Sequence, residues 1–206
     1  MKGNQMARAA AKKVKARKRL TGDERRESIL EAALGCFLEK GYIATTINDI
    51  REASGATTGS IYHFFDGKGA LAMALLEDAM AGWSGESQAA GDTAEAFVKA
   101  TAGGLVNWGT KNPELFRFTD EIRTLAVTAP EFADVADALS EGTGGPTYAK
   151  FLKARKVKDL PWPVAQSLIL GPAYNYLRLA TTGRARVAAK RAAEALADAA
   201  WASVKA

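Results

Sequence analysis

The sequence predicts an all-α protein, with three N-terminal helices in a helix-turn-helix arrangement followed by a larger helical domain. Apolar residues recur at intervals of three and four through most of the 206 residues, which is the period of a helix with one buried face. No segment from residue 93 onward shows the alternation of a half-buried strand. Glycines and prolines divide the chain into helix-length segments, so we expect helices joined by short turns.

The first helix is predicted to begin near Thr21 and to end at Gly41. Thr21 and Glu24 have the spacing of a capping box, in which each side chain bonds the other's backbone N–H. A glycine at the end can adopt the backbone conformation that closes a helix. The apolar stripe between these ends comprises Ile29, Leu30, Ala33, Leu34, Phe37 and Leu38.

Residues 45–71 predict a helix, a glycine-containing turn, a short second helix and the start of a third. Thr46 and Asp49 repeat the capping-box spacing, and Gly55 can take the left-handed conformation that other residues resist. Thr57 is placed to cap the next helix. The predicted inward residues are Ile47, Ile50 and Ala53 in the first helix and Ile61, Phe64 and Phe65 in the second.

The opposite face of the second short helix carries Thr58, Gly59, Ser60, Tyr62 and His63. These residues are short, polar or aromatic and almost uncharged. A helix that faces water usually carries Lys and Glu, so this composition favours contact with another surface.

Residues 29–76 resemble the DNA-binding domain of the TetR family of one-component transcriptional regulators. The resemblance is carried by FLEKGY (Phe37–Tyr42), TTINDI, ASGATTGSIYHFF, Lys68 and Leu71. It implies a dimer that binds a pseudo-palindromic DNA operator and responds to a small molecule. The remaining residues match that family only in length and helical character.

The sequence and the resemblance together predict a DNA site. Thr58, Gly59 and Ser60 are assigned to base edges in the major groove, where threonine methyls suit thymine methyls and hydroxyls accept or donate. The resemblance assigns Tyr62 and His63 to phosphate or sugar, although His63 could be a plain surface residue. The complete prediction is Thr45, Thr46, Thr57, Thr58, Gly59, Ser60, Tyr62, His63 and Lys68, with Lys68 and either Thr45 or Thr46 on phosphates.

The net charge of +5 is unevenly distributed. Residues 1–20 carry eight Lys or Arg and no acid, while the other 186 residues carry 20 basic and 23 acidic side chains. Residues 21–80 are net acidic by five charges, which argues against a non-specific electrostatic binder on the folded surface. The predicted division is a disordered basic arm at 1–20, the helix-turn-helix domain at 21–67 and the ligand and dimer domain at 68–206. The arm could contact phosphates or could be a solvated terminus.

Several functional classes are disfavoured by the sequence. One cysteine (Cys36) and one histidine (His63) leave no internal disulfide and no thiolate or imidazole metal cluster. We find no phosphate loop, nucleophile elbow or metal motif, so we expect neither an enzyme nor a cofactor. No apolar run approaches a membrane span and no signal peptide is visible, which predicts a soluble, cytoplasmic protein without a membrane partner.

Seven helices are predicted after the helix-turn-helix, with the residues 84–92 interrupting the chain after the first of them. The predicted ranges are 68–82, 93–111, 114–128, 131–140, 147–157, 164–181 and 185–204. In the last helix, small residues at Ala189, Ala193, Leu196 and Ala200 would let a second helix approach closely across a two-fold axis. The predicted dimer interface is this stripe with Leu168 and Pro172 of the preceding helix. Alternatively, the alanines only raise helix propensity on an intramolecular face.

The resemblance implies a pocket for a small, largely apolar ligand in the C-terminal domain. The candidate residues are Trp83, Asn107, Trp108, Phe116, Phe118, Tyr148, Phe151, Trp162, Tyr174, Asn175, Tyr176 and Arg178. For each aromatic residue, ordinary core packing is the alternative. The predicted function is a homodimeric regulator, a repressor by resemblance, that such a ligand releases from its operator. A ligand-independent or architectural DNA-binding protein is the rival hypothesis.

Overall fold

The computed structural model describes residues 20–88, 92–126, 128, 132, 144–185 and 187–206. The helices of this part are α1 (Gly22–Lys40), α2 (Ile47–Ser54), α3 (Thr58–Phe64), α4 (Lys68–Gln88), α5 (Ala94–Lys111), α6 (Pro113–Leu125), α7 (Gly145–Lys153), α8 (Trp162–Thr181) and α9 (Ala189–Val204). The predicted all-α fold is confirmed. Among these residues, no helix combines the length and apolar character needed to cross a bilayer.

Some helix boundaries differ from the prediction. α4 continues six residues past Gly82, because the small polar residues that follow it reduce helix propensity without blocking a backbone hydrogen bond as proline does. α7 begins and ends earlier than the predicted 147–157. The predicted helix at 131–140, apart from residue 132, and residues 1–19 of the basic arm lie outside the described residues.

The predicted capping of α1 is confirmed. The backbone N–H of Thr21 donates to Glu24 Oε2 at 2.8 Å, and the N–H of Glu24 donates to Thr21 Oγ1 at 3.2 Å. Gly41 ends the helix with a φ of 79°, and its N–H bonds the Phe37 carbonyl at 2.9 Å. α1 therefore stops just before the turn that leads to α2.

A first apolar cluster holds the helix-turn-helix together. It combines buried residues of α1, α2, α3 and the first half of α4 with residues that come from α6. Phe118 of α6 is fully buried here and stacks on Phe37 with ring centroids 5.4 Å apart. The N-terminal domain thus completes its core with side chains from well beyond its own segment of the chain.

A second apolar cluster joins the end of α4 with α5, α7, α8 and α9. α5 and α9 approach closely, since a Cβ added at Gly103 would lie 3.5 Å from the Ala193 carbonyl and 3.6 Å from Ala197 Cβ. Ala193, at this contact, and Ala200, further along α9, are both buried within the chain. Their assignment to the dimer interface is therefore wrong, and the intramolecular alternative is correct for them.

α6 contributes to both clusters. Phe116, near its start, lies in the second cluster and packs on Tyr174 of α8 with ring centroids 5.9 Å apart. Phe118 and Ile122 lie in the first cluster, and Leu115 packs against both. This 13-residue helix therefore connects the C-terminal helices to the helix-turn-helix.

Candidate nucleic-acid interface

The start of α2 carries the second predicted capping box. The Thr46 N–H donates to Asp49 Oδ2 at 2.8 Å, and the Asp49 N–H donates to Thr46 Oγ1 at 3.2 Å. Lys40 of α1 bonds the same carboxylate at 2.6 Å. The hydrogen bond from Lys40, followed by those from Thr46, holds the pKa of Asp49 well below its ordinary value. The end of α1 and the start of α2 are joined by this contact.

The turn between α2 and α3 follows the predicted geometry. Gly55 adopts the left-handed conformation, with φ 62° and ψ 17°. Ser54 Oγ accepts the N–H of Ala56 at 3.2 Å, and the Ala56 side chain is buried. Thr57 then caps α3 by accepting the Ser60 N–H at 3.1 Å. The turn sets the orientation of α3 through local bonds and one buried methyl group.

The two faces of α3 are distinct. Ile61 is fully buried, Phe65 just beyond the helix is also buried, and Phe64 is partly so. On the other face, Thr58, Gly59, Tyr62 and His63 are exposed and Ser60 is half-buried. The Tyr62 side chain is 53% exposed, a high fraction for an aromatic residue.

Gly59 lies in open space, since a Cβ added there meets no atom within 4 Å outside its own helix. Another surface can therefore approach its backbone closely.

Thr45 does not share this exposed surface. Its side chain is 1% exposed, and its hydroxyl donates to the Gly41 carbonyl at 2.8 Å and the Cys36 carbonyl at 3.1 Å. The hydroxyl closes the turn after α1 and is not available to a phosphate, so this part of the prediction is wrong. Thr46, which is exposed, is the remaining threonine at this flank.

Lys68 is committed partly to the fold. Its ammonium donates to the carbonyls of Tyr42 at 2.8 Å and Ile43 at 3.2 Å, and it lies 4.3 Å from the centre of the Tyr42 ring. An ammonium has three donors, so a phosphate contact at this site would share a group that already stabilises the turn. Ile43, 64% exposed beside these bonds, was not in the predicted site.

The predicted pocket residues divide between the interior and the surface. Trp83, Trp108, Phe116, Tyr148, Phe151, Trp162, Tyr174 and Tyr176 all contribute to the second cluster. Burial raises the pKa of Tyr174, and the Arg123 guanidinium lies 3.7 Å from the centre of its ring. Asn107, on α5 within this part of the fold, is half-buried.

Three of the predicted pocket residues do not line the second cluster. Phe118 lies in the first cluster and is part of the helix-turn-helix core. Asn175 is exposed, and Arg178 points outward into a two-point bond with Asp120 of α6, at 2.7 and 2.8 Å. Asn175 and Arg178 lie on α8 at positions that the helix period directs away from the second cluster.

α8 presents an exposed apolar face. Val164, Leu168 and Leu179 are 46%, 39% and 41% exposed, and Pro172 lies between them at helical spacing. On α9 the exposed small residues are Ala195, Ala199 and Ala202, while Ala189 and Leu196 are half-buried. Of the predicted stripe, Ala193 and Ala200 thus lie on the inner side of α9, and the exposed apolar residues Val164 and Leu179 of α8 were not part of the prediction.

The N-terminal domain matches known proteins closely. Residues 29–75 match the model of the family described as bacterial regulatory proteins, tetR family. The chain is 44% identical over 61 residues to the HTH-type transcriptional repressor AcnR of Corynebacterium efficiens, covering 28% of this chain and 32% of that protein. It is 42% identical over 52 residues to the HTH-type transcriptional repressor KstR2 of Rhodococcus jostii, covering 25% and 26%. These matches span a third or less of the relatives' length.

Solved structures extend the similarity of fold to most of the chain. A TetR family transcription regulator from Marinobacter aquaeolei superposes with a TM-score of 0.74 at 21% identity, over 89% of this chain and 96% of that one. The ketosteroid transcriptional regulator KstR2 of Mycobacterium tuberculosis gives 0.63 at 19% identity, over 88% and 95%. The α2–turn–α3 geometry and the family match therefore identify residues 29–75 as a helix-turn-helix segment of the tetR family of bacterial regulatory proteins.

Proposed function

We propose that the chain is a sequence-specific transcriptional repressor that binds a pseudo-palindromic operator as a homodimer and is released by a small, largely apolar ligand. The observation that carries the proposal is the exposed face of α3. Its residues point away from a core that Ile61 and Phe65 anchor, at the end of a turn whose geometry suits a recognition helix. The relatives named transcriptional repressors support the direction of regulation.

The chemistry of this face favours hydrogen-bond and methyl contacts over charge. Thr58 and Ser60 supply hydroxyls, Gly59 permits close approach, and Tyr62 supplies a phenol that can reach a phosphate. α3 contains no Lys or Arg, so two-point recognition of guanine by arginine is not available from it. We therefore expect modest affinity for each half-site, which a symmetric dimer raises by binding two half-sites at once.

The dimer in this proposal forms through α8 and α9. The exposed apolar residues of α8 at Val164, Leu168 and Leu179 lie on one face, and α9 offers exposed alanines that allow close helix approach. An isologous contact of this kind generates the two-fold symmetry that a palindrome requires. The two recognition helices would then bind half-sites separated by one helical turn, about 34–36 Å.

The ligand would occupy the second cluster, where aromatic side chains are concentrated. Pockets for small molecules are lined mainly by apolar and aromatic groups with a few polar ones. Tyr174, with Arg123 over its ring, is a candidate for such a polar group beside α6. Release from DNA requires that the ligand bind better to the form whose recognition helices are wrongly spaced.

Selection of bound sequences from random duplexes at near-physiological salt, with the purified full chain, tests the proposal. A recovered palindrome is the expected result. Recovery of no motif, with binding lost steeply as salt rises, would instead support an architectural binder that contacts phosphates through basic segments.

Coupling to a ligand is tested with the selected operator and the apolar fluorescent dye 1-anilinonaphthalene-8-sulfonate as probe. If the dye occupies a coupled site, it lowers operator affinity, and the operator lowers dye affinity by the same factor. A random duplex of equal length serves as the control. A dye that binds without changing operator affinity, or that does not bind, contradicts the coupled pocket at this site and favours the ligand-independent rival.

A further inference from the structure

We propose that Glu121 of α6 is the positioning residue that holds the helix-turn-helix in the orientation needed for reading an operator. This inference rests on the proposed function and identifies a residue outside the recognition face. Glu121 Oε1 accepts the backbone N–H of Tyr42 at 2.9 Å. The two residues are 79 positions apart, so the bond ties the C-terminal part of the chain to the turn before α2.

The turn at residues 41–45 is the point at which several restraints meet. The Thr45 hydroxyl bonds the carbonyl of Cys36 in α1 and that of Gly41 just after it. The Lys68 ammonium of α4 bonds the carbonyls of Tyr42 and Ile43. Each of these bonds comes from within the N-terminal half of the chain. Glu121 adds a bond from the second half of the chain, to the N–H of Tyr42 in the same turn.

The turn leaves little space around the Glu121 carboxylate. A Cβ added at Gly41 would lie 3.3 Å from Glu121 Oε1, so the glycine both ends α1 and admits this side chain. The Tyr42 ring is buried in the first cluster, tilted against Phe37 at 5.4 Å. The bond is thus made beside a fixed aromatic ring and not at a loose surface loop.

α6 is held on its other side by α8. Asp120, adjacent to Glu121, makes the two-point bond with Arg178, and Arg123 lies over the ring of Tyr174. The consecutive residues Asp120 and Glu121 therefore bond different elements, one in α8 and one in the turn before α2. A displacement of α8 that carries this 13-residue helix with it therefore also moves the acceptor of the Tyr42 N–H.

The position of the turn matters because it precedes the capping box of α2. Thr46 and Asp49 begin α2 one residue beyond the turn, and Lys40 bonds Asp49 from the end of α1. Removing the Glu121 carboxylate takes this acceptor away from the partly buried Tyr42 N–H and loosens the tie between α6 and the turn. The two α3 helices of the proposed dimer would then sample a wider range of relative orientations. This weakens binding to the operator, which needs both helices at fixed positions, more than binding to random DNA.

The experiment compares the full-length Glu121→Ala, Glu121→Gln and Glu114→Ala variants with the wild type. Glutamine retains an acceptor oxygen for the Tyr42 N–H, whereas alanine removes it. Glu114 is an exposed carboxylate in the first turn of α6, so its removal controls for loss of charge on the same helix. The two measurements are hydrogen exchange of the Tyr42 amide and affinities for the selected operator and for a random duplex at one salt concentration.

We expect Glu121→Ala to reduce protection of the Tyr42 amide by about tenfold, as loss of one partly buried hydrogen bond implies. Operator affinity should fall by a similar factor while random-duplex affinity stays within about twofold. Glu121→Gln should remain within about threefold of wild type in both assays, and Glu114→Ala should be unchanged.

Three results would overturn the inference. Unchanged Tyr42 protection in Glu121→Ala would show that the bond does not restrain the turn. Equal losses for operator and random DNA would show that Glu121 only stabilises the fold. A wild-type chain with no preferred sequence would refute the proposed function itself, and the inference with it, whereas the first two results leave that function intact.

Discussion

Replacing Leu168 with alanine tests whether the exposed face of α8 is the dimer interface. Full burial of a leucine side chain is worth about 1.5–3 kcal/mol. Leu168 is 39% exposed in the single chain, so covering that remainder contributes roughly 0.6–1.2 kcal/mol per copy. The residue occurs twice in a two-fold interface and alanine retains one methyl, which leaves an expected loss of about 1–2 kcal/mol. The dimer dissociation constant should therefore rise about 5- to 30-fold.

Sedimentation velocity over a dilution series measures this change. Leu20 is a matched control, because it is 37% exposed and lies ahead of α1, far from α8 along the chain. Leu20→Ala should leave the dissociation constant unchanged, and circular dichroism should show that both variants remain folded. An unchanged dimer in Leu168→Ala, or an equal loss in Leu20→Ala, would refute the assignment of this face.

Three further predictions concern the helix-turn-helix. Thr58→Ala combined with Tyr62→Phe should weaken operator binding about tenfold in a gel-shift titration, since each lost contact is worth of the order of 1 kcal/mol. The melting temperature should not change, because both side chains are exposed. Unaltered binding would exclude these contacts. Gly55→Ala should lower the free energy of unfolding by about 1–2 kcal/mol in a denaturant titration, because Gly55 has a left-handed φ. Gly59→Ala should instead raise it by up to about 1 kcal/mol, because Gly59 lies in open space within a helix. The same Gly59→Ala change should weaken operator binding, since it adds a methyl group to the recognition face. The pKa of Asp49 is lowered in the folded chain, so its hydrogen bonds contribute their full stability above the ordinary aspartate pKa. That contribution is lost as the pH falls toward the lowered pKa. The melting temperature of an Asp49→Asn chain should therefore fall less steeply than that of the wild type below about pH 4.

Local signals in the sequence were sufficient for the helix-turn-helix. Capping boxes and a glycine that takes positive φ are each determined within a few residues, and they were confirmed at Thr21, Thr46 and Gly55. Of the residues predicted to face inward, Ile50 and Ile61 are fully buried, whereas Ala53 is exposed. The burial of Thr45 was not predicted, because its neighbour Thr46 has the same side chain. Which of the two caps and which closes the turn depends on the path of α1, a fact of tertiary structure.

The C-terminal domain was less predictable because its helices have apolar residues on more than one side. Alanine supports close approach to a helix in the same chain or in another copy, so the sequence does not distinguish Ala193 from Ala195. The glycine of α5 that receives α9 lies ninety residues earlier, at Gly103. Likewise, the partner of Arg178 is an aspartate on α6, and a contact of this separation leaves no periodic signal.

The shared core of α6 and the helix-turn-helix limits how this chain can be divided. A fragment ending at residue 67 would lose Leu71 and Leu75 of α4 together with Phe118 and Ile122, all buried against α1–α3. Such a fragment would expose apolar surface and would lack the acceptor for the Tyr42 N–H. A chimaera that joins this recognition helix to a foreign sensor must therefore import a compatible α6, or rebuild the contact around Phe37, before its DNA preference can be transferred.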